Sequence, residues 1–182
     1  DNRRSRGLGD VYKRQDNGDP TGTSNLFIDN CVAHDFNDKF IKPYGNNGMD
    51  SLVVTNSVFY NGASEGIVLY SGSSSDPAAV INHSIIENCT FYDIEREAIK
   101  GQTHPDNVVR ISNVTVVRCG TVENKAMMYF RDMTDVVVKN SIFAHSTNAD
   151  AGEEFVDMAS DASLFHNNCL LYTSPSPRDL RL

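Results

Sequence analysis

The sequence predicts an all-β chain: a single-stranded right-handed parallel β-helix of about five coils, each roughly 27 residues long. Three observations carry that expectation. An asparagine recurs inside one small pattern, at Asn30, Asn56, Asn88, Asn113, Asn140 and Asn167, with steps of 26, 32, 25, 27 and 27 residues. The residue two before each asparagine is apolar (Ile28, Val54, Ile86, Ile111, Val138, Phe165), and the residue one before is polar (Asp29, Thr55, Glu87, Ser112, Lys139, His166). Short apolar-polar runs separated by Gly, Asn, Asp and Ser then fill the rest of each period.

Taken in order, the first strand of each coil is the alternating run that ends at the asparagine, because period-2 patterning buries one face. The asparagine itself marks a corner, since Asn tolerates left-handed backbone and its amide can bond the backbone. Stacked in successive coils, these amides are expected to bond one another. Alternation resumes after the corner, with Ser57/Phe59, Cys89/Phe91, Val114/Val116 and Ser141/Phe143 facing inward. A third strand follows a variable loop, at Phe40-Ile41-Lys42, Val68-Leu69-Tyr70, Ala98-Ile99-Lys100, Tyr129-Phe130-Arg131 and Phe155-Val156-Asp157. A long loop at 71–79 accounts for the one step of 32.

Both ends read as translated sequencing adapter. Ser5 to Gln15 and Cys169 to Asp179 back-translate to one DNA and its frame-shifted reverse complement. Residues 1–15 and 169–182 are therefore set aside. Residues 16–168 are the β-helix segment, read as an internal fragment of a longer, metagenomic gene. Seven of the sixteen Lys and Arg and three of the twenty-four Asp and Glu lie in those ends, leaving nine against twenty-one, a formal charge of −12. So acidic a segment argues against a nucleic-acid partner, because phosphate binding needs a positive face. No run approaches the ~18 apolar residues of a membrane span. Cys31 and Cys89 hold the same repeat position two coils apart, about 10 Å at strand spacing. A disulfide spans at most ~7 Å between Cα atoms, so they read as small core thiols.

Aligning the third strands places Lys42, Tyr70, Lys100, Arg131 and Asp157 in one outward column. Three of nine basic residues with an aromatic among them could contact an extended anionic polymer. Exposed strand positions also carry Lys and Arg simply to blunt aggregation. His34 and His145 recur near the end of the second strand, and His104 sits in a loop just after Lys100.

The segment resembles the pectin-lyase-like β-helices through its repeated Asn-[Cys/Ser/Val]-x-[Phe/Val] pattern over 25–168. Within them it is similar to the chondroitinase B and alginate lyase family and to related β-helical proteins of gut Bacteroidetes. Glu95-Arg96-Glu97-Ala98-Ile99-Lys100 is similar to that family's calcium and base stretch, and Tyr129-Phe130-Arg131 looks like its Arg strand. The resemblance implies β-elimination on a uronic acid unit of an acidic polysaccharide. Lys100 and Arg131 would be catalytic, Glu95 and Glu97 would hold calcium, and Lys42, Tyr70 and His104 would bind substrate. Calcium takes oxygen ligands and would draw charge from the substrate carboxylate. It further implies a secreted, periplasmic or cell-surface protein, monomeric at full length. Two departures stand out: Lys100 lies two residues closer to the Glu pair than in the family, where this chain has Gln102, and Asp132 replaces the usual His after the Arg. The alternative is a non-catalytic β-helix that binds glycan or serves as a surface spacer.

Overall fold

The computed structural model describes residues 25–43, 49–73, 76–102, 107–122, 125–133, 135–144, 156–159 and 164–171. In chain order the strands are β1 (Asn25–Asp29), β2 (Val32–His34), β3 (Met49–Thr55), β4 (Val58–Gly62), β5 (Ile67–Val68) and β6 (Tyr70–Ser73). They continue with β7 (Asp76–Glu87), β8 (Thr90–Ile94), β9 (Ile99–Gln102), β10 (Val108–Ser112), β11 (Thr115–Cys119) and β12 (Met128–Arg131). The last five are β13 (Asp135–Lys139), β14 (Ile142–Ala144), β15 (Val156–Ala159), β16 (Leu164–His166) and β17 (Cys169–Leu171). No helix among the described residues is long and apolar enough to cross a membrane. The segment read as adapter begins with β17, whose three residues are exposed.

These strands form three parallel sheets wound around one core. Sheet A runs β1-β3-β7-β10-β13-β16, sheet B runs β2-β4-β8-β11-β14-β17, and sheet C runs β5-β9-β12-β15. The chain is thus a parallel β-solenoid, as the repeat predicts. Partners in sheet A stand 26, 32, 25 and 27 residues apart in sequence, as at Thr55, Glu87, Ser112 and Lys139, so the asparagines that follow them are in vertical register. The step of 32 is taken up by structure instead of a plain loop. Strand β6 folds back antiparallel on β7 as a hairpin arm.

Every described asparagine of the series turns its corner with φ between 50° and 56°. An L-residue there costs roughly 1–2 kcal/mol, which Asn bears best after Gly. The corner N–H groups of Asn30, Asn56, Asn88 and Asn113 still donate to the next coil, as from Asn30 to the Thr55 carbonyl at 3.2 Å and from Asn88 to the Ser112 carbonyl at 3.2 Å. At these corners the sheet ladder passes through the bend without a lost bond. The expected amide ladder is only partial. The Asn88 amide donates to the Asn56 oxygen at 3.4 Å, but Asn56 donates to the Asp29 carboxylate at 2.8 Å and Asn113 to Glu87 at 3.5 Å. Where a carboxylate stands beside the corner it takes the amide, being the stronger acceptor.

The residue after the asparagine closes the corner. Ser57 and Ser141 hydroxyls donate to carbonyls two residues back, at 2.7 and 2.8 Å, and the Cys89 thiol does so at 3.2 Å. All four cysteines are free. The core behind them is a pile of like residues. Phe59, Phe91, Phe130 and Phe143 are fully buried, and the Phe59 and Phe91 rings stack at 4.9 Å. Burying each such ring is worth roughly 1.5–3 kcal/mol.

A second corner, between sheets B and C, escaped the sequence reading. Asp35, Asn61, Asp93 and Arg118 end the sheet B strands with φ of 56°, 55°, 55° and 49°. Its mixed residue types conceal the repeat.

Candidate functional site

The outer face of sheet C collects the predicted residues, but in a different register. Ile99 pairs with Ile67 and with Met128, which aligns Val68, Lys100, Tyr129 and Asp157 in one outward column. The bridge from Ile41 to Ile67 brings Lys42 to the foot of that column. Gln102 and Arg131 are partners in a second column, two residues along. The single column of Lys42, Tyr70, Lys100, Arg131 and Asp157 is thus corrected to two. The physical reason is that period-2 alternation is unchanged by a slip of two residues. Both Ile67 and Leu69 are apolar and fully buried, so burial pattern could not choose between them.

Lys100 is the centre of this face and does not stand beside Arg131. Its ammonium lies 3.3 Å from Glu97 and 3.5 Å from Glu65, and 5.5 Å from the centroid of the Tyr129 ring. Both acids are enclosed, Glu65 at 4% exposure and Glu97 at 2%. They occupy equivalent places on successive coils, each two residues before its sheet C strand. Left alone, two stacked carboxylates would repel. Lys100 bridges them, Arg96 approaches Glu65 at 3.5 Å, and Lys39 approaches it at 3.6 Å. Burial pushes the Glu65 pKa up, but the Ser64 hydroxyl, its own backbone N–H, Arg96 and Lys100 outweigh that and lower it to about 2. Glu65 was missed because Gly62-Ala63-Ser64-Glu65-Gly66 reads as turn chemistry; only its repeat equivalence to Glu97 marks it.

Tyr70 stands at the edge of the same face and donates its hydroxyl to the Gln102 side-chain oxygen at 2.9 Å. Burial raises its pKa. Arg131 is exposed and lies 3.6 Å from Asp132. Hydrogen bonding to Tyr129, followed by the charges of Tyr129 and Asp132, raises its pKa further.

The proposed calcium pair is split by the bend between β8 and β9, in which both residues lie. Glu97 turns into the ion cluster with Lys100, while Glu95 is exposed and faces the second corner. Among the described residues no group of three or more His, Cys, Asp or Glu is placed to hold a metal ion. Glu95 and Glu97 therefore do not fit a shared calcium site. His104 lies outside the described residues, as do residues 1–15 and 172–182 of the adapter-like ends.

At that second corner Asp35, Phe36, Asn37, Asn61, Asp93 and Glu95 help line a surface pocket of about 230 Å³. Beside it His34, Tyr60 and Tyr92 stack outward on sheet B, with ring centroids 5.0 and 4.7 Å apart. The three residues that follow these rings, Asp35, Asn61 and Asp93, are themselves pocket walls.

Comparison with protein-family models, with curated proteins and with solved structures finds no match for this chain.

Proposed function

We infer that this solenoid is a non-catalytic binder of an acidic polysaccharide, with the outer face of sheet C as its contact surface. One observation carries the reading. The partner of Arg131 on the neighbouring coil is Gln102, an amide that cannot take a proton, while the lysine lies in the parallel column between two buried carboxylates. General-base catalysis needs a proton acceptor within hydrogen-bond reach of the substrate, and Lys100 is engaged by the fold.

What remains suits binding. Lys42 and Arg131 supply positive charge on one face of an otherwise acidic chain, with Lys100 offsetting the two buried carboxylates beneath them, and a local patch of that kind draws in a polyanion. Tyr70 and Tyr129 add apolar bodies with polar tips, the combination that serves half-wet contact surfaces. Strands ~4.8 Å apart repeat these contacts along the solenoid axis, the geometry an extended chain requires.

Affinity electrophoresis of the full chain through gels containing polygalacturonate, alginate or chondroitin sulfate tests this. Retardation by at least one of them is expected, weakened by added salt and by Arg131→Ala. Migration unchanged by all three polymers would overturn the reading.

A further inference from the structure

We propose that the pocket at the second corner is a separate site for an uncharged sugar ring, walled by Asp35, Asn37, Asn61, Asp93 and Glu95 and flanked by the His34–Tyr60–Tyr92 stack. The proposal extends glycan binding to a face that the sheet C reading does not use.

Three features of the pocket select the ligand. The first is size. At about 230 Å³ it falls below the roughly 300–1,000 Å³ of pockets that take drug-sized molecules, which leaves room for one ring of a chain. The second is its polar inventory. Five of the eight lining residues carry carboxylates or amides, which accept hydrogen bonds from hydroxyls and, through Asn37 and Asn61, also donate them. Asp93 is already gripped by Arg118 at 2.5 and 2.9 Å, and Asp35 by His34 at 2.7 Å and by Asn61. These bonds hold both carboxylates in place and lower both pKa values, first through Arg118 and through His34 respectively. Fixed acceptors with lone pairs to spare suit vicinal hydroxyls. Among the described residues Glu95 makes no ion pair, and it stays available at the rim.

The third feature is charge. Three carboxylates against one guanidinium repel a uronate, so the preference here is opposite to that of sheet C. A divalent cation is the obvious competitor. The Arg118 guanidinium that bonds both oxygens of Asp93 repels a cation there, and no metal-holding group of acids is present among the described residues. Phe36, Gly62 and Ala63 complete the lining and give the sugar's C–H surface an apolar wall.

Isothermal titration calorimetry on the full chain, with neutral xylose, glucose and mannose hexasaccharides and a galacturonate hexasaccharide, tests the site. At least one neutral hexasaccharide is expected to bind, and Asn37→Ala and Glu95→Ala should each weaken it about tenfold or more. Arg131→Ala should leave that binding unchanged while reducing uronate binding, so failure of the pocket and failure of the sheet C reading give different patterns. Both substitutions fall on exposed side chains, and unchanged melting temperatures confirm that the fold survives them. Absence of heat with every neutral sugar overturns the proposal. So does neutral binding that survives both pocket variants, or calcium heat that those variants abolish without any sugar heat.

Discussion

At the scale of single residues, two kinds of side chain decide this molecule: those that permit a left-handed corner and those that neutralise buried charge. Asn88 does the first, with φ of 54° and an amide bonded to Asn56. Asn88→Ala keeps the strand pattern but loses that tolerance, and should destabilise the fold by about 1–2 kcal/mol, with Asn88→Gly recovering most of the loss. Urea unfolding of the three proteins measures it. Glu65 does the second. Its folded pKa, about 2, lies below the ordinary 4.5. A depressed carboxyl contributes stability that is complete above its unfolded pKa and is lost as pH falls through the folded value. Wild type should therefore be more stable than Glu65→Gln at neutral pH, and the gap should close between pH 4.5 and about 2. A gap independent of pH across that window would show that Glu65 acts only by its shape.

Elements here are stabilised by stacking like on like. Phe59 and Phe91 lie in contact across β4 and β8 with no exposure. Phe91→Ala opens a cavity that rigid neighbouring coils cannot collapse into, and should cost roughly 3–5 kcal/mol in denaturant unfolding. An effect under about 1 kcal/mol would mean the coils close over the gap. Sheet C tolerates little at its crowded entry. A Cβ on Gly66 would stand 2.5 Å from the Ala98 carbonyl oxygen, a backbone atom that cannot swing aside. The same stacking rule explains what sequence could reveal at this scale. Sheets A and B were legible because an asparagine marks their shared corner once per coil and fixes register. Sheet C carries no such marker, so its strands were found while Tyr70 and Arg131 were placed one pleat out of line.

Across the whole molecule, winding converts sequence periodicity into two adjoining surfaces of different character. One is the sheet C face, with Lys42, Lys100 and Arg131. The other is the acidic corner pocket beside Tyr60 and Tyr92. The solenoid, its inward columns and the free cysteines could be read from the chain because they depend on local alternation. The ion cluster could not, because Glu65 and Lys100 meet across 35 residues only once the register of sheet C is known. That register also puts Gln102 beside Arg131, while the bend after β8 separates Glu95 from Glu97. The measurement that tests the account most directly is the release of unsaturated uronate ends by the full chain, with and without calcium, on a polyuronate that it retards in a gel. The account predicts binding with no new unsaturated ends. Unsaturated ends that form with the wild type and vanish with Lys100→Gln, a variant still folded by its melting curve, would contradict it.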